Sequence, residues 1–228
     1  MLDTSPLINH IFSLDKAKNI LSIYDSPLYV YQAEVLSQTI ARINNSIPYP
    51  HTKFHFASVT NGNISLLKIF KNCGWGIHAN TPGDIYLALK AGFSPENVVY
   101  SGSNLSSEEI AQLLNWGITT FNLDSINQLQ VFCEVYQKID LNSFEEIKLG
   151  FRLNLPEITG DSRIGIRPNE FTEAVEIASK ANLKISGLHF YRGTGTNATK
   201  AFTQVINQVI ETAKLLPDWQ YLDFGGGF

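Results

Sequence analysis

Short apolar runs alternate with longer amphipathic segments along most of the chain, and this alternation limits the possible folds. The predicted strands cover residues 54–59, 76–79, 98–101, 119–123, 148–154, 184–191 and 221–224. The predicted helices between them cover residues 64–72, 83–91, 107–115, 125–135, 169–181 and 198–216. Repeated strand–helix units of this kind predict an α/β fold whose parallel strands are joined by right-handed crossovers.

About seven such units leave two architectures open. One is a (β/α)8 barrel of the TIM type that lacks its last strand, and the other is an open, doubly wound sheet. The first strand–helix turn, residues 59–63, has the sequence Val-Thr-Asn-Gly-Asn rather than a GxGxxG pattern. This difference argues against a dinucleotide-binding site.

The first 45 residues do not follow the repeating pattern. They predict a short strand at 26–31 and a helix at 32–44, which lead into a barrel domain formed by residues 46–228. Residues 155–168 are rich in proline and glycine and predict a long loop at the carboxyl end of a strand. Loops in that position are often functional.

Composition excludes several classes of protein. The 228 residues include 44% hydrophobic ones, enough for a sizeable core, and the net charge of −4 is not gathered into a basic stripe, so nucleic acid is not an expected partner. No apolar run is long enough to span a bilayer, and the first ten residues do not resemble a signal peptide. The two cysteines lie far apart, which predicts reduced thiols in a cytoplasmic protein without a metal site.

Several polar residues and glycines follow the predicted strands, where a barrel carries its active face. The candidate site residues are His78, Arg152, His189, Tyr191, Gly193, Thr194, Gly225, Gly226 and Gly227. Consecutive glycines after a strand allow backbone N–H groups to approach an anion, so residues 225–227 predict a phosphate site. Each candidate also has a structural explanation: His78 could be a hydrogen-bonded histidine beneath a loop, and Tyr191 could be a core aromatic residue.

Six strings in order along the chain resemble the fold-type III pyridoxal phosphate (PLP) decarboxylases, which include the diaminopimelate, ornithine and carboxynorspermidine decarboxylases. The strings are Phe-Ala-Ser-Val-Thr-Asn at 56–61, Leu-Ala-Leu-Lys-Ala-Gly-Phe at 87–93, Phe-Asn-Leu-Asp-Ser at 121–125, Asp-Ser-Arg-Ile-Gly-Ile at 161–166, Gly-Leu-His-Phe-Tyr-Arg-Gly-Thr at 187–194 and Tyr-Leu-Asp-Phe-Gly-Gly-Gly-Phe at 221–228. The resemblance implies an alanine-racemase-like barrel.

The resemblance also implies roles for individual residues. Gly225, Gly226 and Gly227 would hold the PLP phosphate, with a further hydroxyl from Thr194. Tyr191 stands in place of a histidine that stacks on the pyridine ring, and Arg152 matches an arginine near the phenolic oxygen of the cofactor. Asp84 matches a carboxylate at the start of a helix near the open end of the barrel, where the family binds its cofactor. Ser162 and Arg163 match the loop that borders this open end.

The departures from the family bear directly on activity. Val59 stands where the family carries the lysine that links covalently to PLP, and a valine has no amine. Lys53 is too far away to replace it, since six strand residues span about 20 Å. His78 stands where the decarboxylases often have aspartate, and Leu105 replaces a polar or basic residue. The family's eighth barrel strand and C-terminal β-domain have no counterpart in this sequence.

Two functional hypotheses result. The chain is either the N-terminal barrel of a PLP-dependent amino-acid decarboxylase-like protein, or a non-catalytic relative that binds PLP or another phosphorylated ligand non-covalently, or pairs with an active homologue. A barrel for phosphorylated sugars would explain the glycines but not the other strings. An incomplete barrel would expose an apolar interior, which predicts a homodimer or a partner chain that supplies the missing part.

Overall fold

The computed structural model describes residues 13–139, 146–156, 163–191 and 198–226, without the side chains of 198–202. The chain divides into two compact units, one up to Leu36 and the other from Ser37 onward. The first unit contains helix α1 (Leu14–Ile23), whose N-terminus is capped by Ser13. The Ser13 hydroxyl accepts a hydrogen bond from the Lys16 amide over 3.2 Å.

The predicted strand at residues 26–31 is wrong. These residues form no strand in the structure and pair with none of the seven strands described. A run of apolar and aromatic residues therefore does not suffice here, because a strand also needs a neighbour for its backbone hydrogen bonds. The predicted helix that follows is confirmed as α2 (Ala33–Ser46), and the proposed domain boundary at residue 45 stays a prediction.

All seven strands of the repeating region are confirmed, mostly shorter than predicted. They are β1 (His55–Ala57), β2 (Gly76–Ala79), β3 (Val98–Tyr100), β4 (Thr120–Leu123), β5 (Lys148–Arg152), β6 (Ile185–His189) and β7 (Tyr221–Asp223). The helices between them are α3 (Ile64–Asn72), α4 (Pro82–Lys90), α5 (Ser107–Asn115), α6 (Ile126–Tyr136), α7 (Phe171–Lys180) and α8 (Ala198–Ala213). The predicted first strand ends early, because residues Ser58–Thr60 form a 3-10 turn that contains Val59.

The seven strands form one parallel sheet in the order β1-β2-β3-β4-β5-β6-β7. A doubly wound sheet would reverse this order at a switch point, whereas a barrel adds each strand beside the previous one. The strand order therefore decides between the two predicted architectures in favour of an incomplete TIM-type barrel.

Contacts between distant strands show how strongly the sheet curls. Five strand spacings separate β2 from β7, which would amount to about 24 Å in a flat sheet. In the structure His78 Nε2 on β2 lies 3.6 Å from Asp223 Oδ2 on β7. The side chains on the concave face therefore meet in the middle of the partial barrel.

The two faces of the sheet differ in chemistry. The convex face packs against the helices and carries buried apolar residues, among them Ile77, Tyr100, Phe121, Phe151 and Leu188. The register places the opposite set on the concave face, namely His55, His78, Asn122, Arg152, His189, Tyr221 and Asp223. The predicted apolar interior is thus wrong, because alternation along each strand turns the hydrophobic residues towards the helices and the polar ones inward.

Local capping explains where several helices begin and end. Ser106 and Ser125 cap α5 and α6, each accepting a hydrogen bond from an amide of the first turn. Gly74 and Gly92 end α3 and α4 with φ values of 81° and 90°, in the left-handed region that favours glycine. Of the helices in the described ranges, none is both long and apolar enough to cross a membrane.

The two cysteines are free and lie in different environments. Cys133 is buried in α6, and burial raises the pKa of its thiol to about 11. Cys73 is half-buried at the C-terminal end of α3. The thiolate is the reactive form of cysteine, and a raised pKa keeps the Cys133 thiol protonated. Cys133 therefore contributes to packing rather than to reactivity.

Gly150 and Gly187 pair with each other on the concave face, and their close packing gives a prediction about stability. An added Cβ at Gly187 would overlap the Tyr221 ring, so Gly187→Ala should lower the free energy of unfolding by about 1–3 kcal/mol, as measured by urea denaturation. Gly83→Ala in α4 is the matched control, since its Cβ would meet only Thr81 Oγ1 at 3.6 Å. The control should be neutral or slightly stabilising. Equal destabilisation of both variants would contradict the close packing at Gly187.

Candidate functional site

The site is built where β5, β6 and β7 end side by side. The register pairs Arg152 with His189 and His189 with Asp223, so the three residues form one row across the concave face. His78 reaches the same row from β2, because of the curl of the sheet. Carboxyl ends of parallel strands are where barrel proteins place their ligands.

Asp223 is at the centre of the hydrogen-bond network. Its Oδ1 accepts a hydrogen bond from the Gly225 amide over 2.8 Å, and its Oδ2 accepts one from Asn122 Nδ2 over 3.0 Å. Asn122 Oδ1 in turn accepts from the Tyr221 hydroxyl over 2.8 Å. The carboxylate is therefore fixed on one side by its own chain and on the other by β4.

The two site histidines are held differently. His189 is only 3% exposed, and its Nδ1 lies 3.0 Å from Ser101 Oγ in a buried hydrogen bond. The His78 ring lies 5.4 Å from the His189 ring, at an angle of 59°. His78 Nε2 is buried without a hydrogen-bond partner, although Asp223 Oδ2 is 3.6 Å away. The sequence left open whether His78 is a structural histidine with all its hydrogen bonds made. In the structure, its Nε2 makes none.

Burial dominates the electrostatics of this cluster. It lowers the pKa of His189 to about 4 and lowers the pKa of His78, against the attraction of Asp223 in both cases. Burial alone would raise the pKa of the Asp223 carboxyl, but His189, His78 and the Gly225 amide outweigh it and hold this pKa below its usual value. At neutral pH the cluster therefore combines an ionised carboxylate with uncharged imidazoles.

Arg152 and Tyr191 form a second pair beside the row. The Arg152 guanidinium lies over the Tyr191 ring, 5.3 Å from its centre, which is a cation–π geometry. Burial lowers the pKa of Arg152, while Asp124 opposes this effect. The guanidinium of Arg152 thus interacts with the Tyr191 ring and with the charge of Asp124.

The glycine turn after β7 lies against Tyr191. Gly225 has a φ of 66°, and an added Cβ there would lie 3.1 Å from Tyr191 Cβ. At Gly226 an added Cβ would meet no heavy atom within 4 Å, so the turn borders open space. The remaining predicted phosphate-site residues, Gly193, Thr194 and Gly227, lie outside the described residues.

Three other described positions that the resemblance singled out lie outside the strands. Val59 is 60% exposed in its turn at the carboxyl end of β1. Asp84 closes a capping box at the start of α4, where its Oδ2 accepts from the Thr81 amide over 3.0 Å, so its carboxylate has a structural role. Arg163 is exposed, and Ser162 lies outside the described residues.

The sequence did not single out several residues of the network. Ser101, Asn122, Tyr221 and Asp223 were not predicted as site residues, and the histidines were too scattered to predict a metal site. The structure brings His78, His189 and Asp223 together, with one ligand atom from each within 4.8 Å of the others. Alternation along β4 and β7 could have indicated Asn122 and Asp223, because polar residues between buried apolar ones must face inward.

Comparison with known proteins agrees with the fold. Residues 34–228 match the family described as pyridoxal-dependent decarboxylase, pyridoxal binding domain. Diaminopimelate decarboxylase of Bacteroides thetaiotaomicron is 28% identical over 231 residues, covering 95% of this chain and 58% of the relative. The chain thus spans about half the length of the curated relatives it matches.

Solved structures show the same fold at lower identity. Diaminopimelate decarboxylase from Helicobacter pylori, complexed with L-lysine, superposes with a TM-score of 0.80 at 24% identity, covering 92% of this chain and 56% of that one. The arginine decarboxylase of Paramecium bursaria Chlorella virus, bound to agmatine, gives a TM-score of 0.79 at 19% identity, with coverages of 94% and 58%. This level of identity supports the fold of the barrel.

The buried histidine His55 gives a prediction about pH. Burial lowers the pKa of His55 from 6.5 to about 4, so the unfolded chain binds more protons than the folded one between these values. The free energy of unfolding should therefore fall as the pH is lowered. Between pH 7 and pH 5 the wild type should lose about 2 kcal/mol more than His55→Gln, as measured by urea denaturation.

A second substitution serves as the control for this measurement. His51 lies on the exposed segment before β1, so His51→Gln should follow the wild type at both pH values. If His55→Gln and the wild type lose equal stability, the desolvation of His55 is refuted.

Proposed function

The chain belongs to the pyridoxal-dependent decarboxylase family, and we propose that its barrel binds PLP without a covalent bond. Bound PLP supplies an electron sink for carbanions formed next to an amino group. Residues of this chain would hold and orient it at the carboxyl ends of β5, β6 and β7. The observation that carries the proposal is the valine at position 59, together with the intact glycine turn and aromatic neighbour.

The residues described fit the parts of PLP other than its covalent anchor. Gly226 presents backbone next to open space, as a phosphate requires, whereas a Cβ at Gly225 would collide with the Phe190 carbonyl oxygen. Gly193, Thr194 and Gly227 are proposed to complete this phosphate site. Tyr191 offers an aromatic surface for the pyridine ring.

Polar groups surround the expected position of the ring. Arg152 carries a positive charge beside Tyr191, which suits the phenolic oxygen of PLP. His78 and His189 line the same concave face and would border the cofactor. Both are uncharged at neutral pH, so they would orient it through hydrogen bonds rather than charge.

At the position where the resemblance expects the covalent anchor, this chain carries a valine. Val59 stands at the carboxyl end of β1 with a hydrocarbon side chain that cannot bond to a carbonyl. Lys53 precedes β1 and Lys148 begins β5, so both belong to the opposite, amino edge of the sheet. Among the described residues that join each strand end to the next helix, none is a lysine.

This arrangement favours a barrel that binds the cofactor but does not decarboxylate by itself. The side chain at position 59 has no amine, so it could hold the cofactor only by contact and not by a bond. A small amino-acid ligand remains compatible with the polar concave face. We propose that the chain is a non-catalytic relative, or the cofactor-binding part of a decarboxylase-like assembly.

We also propose that the chain associates with a second copy or with a partner chain. β1 and β7 are the outer strands of the sheet as described, and an unpaired strand edge is a ready site for association. Separately, the first unit presents exposed aromatic residues, of which Tyr29 is 90% exposed. Exposed apolar side chains of this size favour association.

Light scattering coupled to size-exclusion chromatography tests the association. The expected result is a molar mass of at least twice the 25.4 kDa of the chain at micromolar concentration, or progressive aggregation. A sharp monomer peak that does not change with concentration would contradict the proposal.

Restoring an amine at position 59 tests the proposed function. The wild type should retain PLP in equilibrium dialysis, yet form no lysine adduct after borohydride reduction and peptide mapping. Val59→Lys should gain one adduct, at position 59, together with a new visible absorbance band. The physical reason is that the cofactor would already be oriented by the glycine turn and Tyr191.

Thr60→Lys is the matched control, because Thr60 lies in the same 3-10 turn and is also exposed. It should form no specific adduct. An adduct on any lysine of the wild type, Lys200 in the first turn of α8 included, would overturn the non-covalent proposal. Failure of the wild type to retain PLP would overturn cofactor binding altogether.

A further inference from the structure

We propose that His78, His189 and Asp223 form a binding site for a divalent transition-metal ion. The three residues come from β2, β6 and β7, and their ligand atoms all lie within 4.8 Å of one another. Two imidazoles and one carboxylate are a frequent ligand set for zinc and for non-haem iron. Two of its ligands are the histidines that the cofactor proposal places beside the ring of PLP, so the metal site is tested without PLP.

His78 provides the observation that points to a ligand. Its Nε2 is buried and has no hydrogen-bond partner, and it lies 3.6 Å from Asp223 Oδ2. A buried nitrogen without a partner destabilises a fold unless something binds it. Metal–ligand bonds of about 2.1 Å at a tetrahedral angle separate two ligand atoms by about 3.4 Å, close to the separation observed.

Neighbouring groups already orient the other two ligands. Ser101 Oγ hydrogen-bonds to His189 Nδ1, which leaves Nε2 of that ring as the ligand atom. Asn122 and the Gly225 amide each donate to a different oxygen of Asp223. Metal-binding histidines and carboxylates in proteins are commonly held by such outer contacts, which fix the ring orientation and the lone pairs.

The charge of the cluster also suits a cation. Asp223 offers a carboxylate oxygen, and each of the two histidines offers a ring nitrogen. The positive charge that acts on both histidines is Arg152, whose guanidinium is stacked over Tyr191 and also interacts with Asp124. A divalent ion would therefore compensate a buried carboxylate that currently faces an unpartnered nitrogen.

Three protein ligands leave at least one coordination position open. In a tetrahedral zinc site this position holds water or a ligand atom. Asp223 lies two residues before the Gly225–Gly226 turn, so a phosphate or carboxylate oxygen of a bound small molecule is the proposed occupant. The imidazole content favours Zn(II), Fe(II), Co(II) or Ni(II) over Mg(II) and Ca(II), which prefer oxygen ligands.

The test uses the untagged full chain, freed of metal with a chelator and kept without PLP. Titration with Zn(II) followed by calorimetry, and dialysis followed by elemental analysis, should show one ion per chain. His78→Leu should weaken binding by at least about 100-fold, since loss of even an outer contact can cost 10–100-fold. His51→Leu, at an exposed histidine outside the cluster, should bind as the wild type does.

Thermal unfolding separates a metal ligand from a structural residue. Because His78 Nε2 has no partner, His78→Leu should unfold at the same or a higher temperature than the metal-free wild type, and only the wild type should gain stability on adding Zn(II). Asp223→Asn, which keeps an oxygen for its amide donors, should also lose the Zn(II)-dependent gain. Co(II) should give a visible spectrum in the wild type that His78→Leu lacks.

Two results would overturn the site. One is a wild type that binds no Zn(II) or Co(II) at millimolar concentration. The other is a His78→Leu variant that binds either ion with the affinity of the wild type. Since every measurement is made without PLP, these outcomes are separate from success or failure of the cofactor proposal.

Discussion

The carboxylate of Asp223 is the interaction on which the concave side of this barrel depends. It ends β7, accepts hydrogen bonds from β4 and from the following turn, and faces histidines on β2 and β6. Of these strands, β2 and β4 are not neighbours of β7 in the sheet, so their contacts with Asp223 can be made only when the sheet is curled. A single buried charge thus connects the curvature of the sheet to the position of the glycine turn.

The helices that cover only the convex face of the sheet explain why the inside of the barrel is polar. A parallel sheet covered by helices on one face can bury its apolar side chains there, and this one does so with residues such as Ile77, Phe121 and Leu188. The inward face then has to satisfy its polar groups among themselves. Asn122, which bridges Tyr221 and Asp223, shows how this is done, and His78 shows where it is left incomplete.

Much of the fold could be predicted from the sequence, because it depends on local signals. Apolar runs, serine caps and glycine ends defined β2, α3 and α5 to the residue. The strand predicted at residues 26–31 failed because pairing is not a local property. The cluster of His78, His189 and Asp223 could not be found from spacing, since 111 and 34 residues separate its members and only strand order and curl bring them together.

The packing at the amino end of β7 depends on the single side chain of Tyr221. Its side chain fills the volume above two glycines, Gly150 on β5 and Gly187 on β6, so that a Cβ added at either position would collide with it. One phenol group therefore occupies the space that side chains at both glycine positions would need. Truncating it to alanine would open a lined chamber beneath Asp223, of a shape suited to phenol itself, and small aromatic molecules added from solution could then refill the barrel and restore its packing.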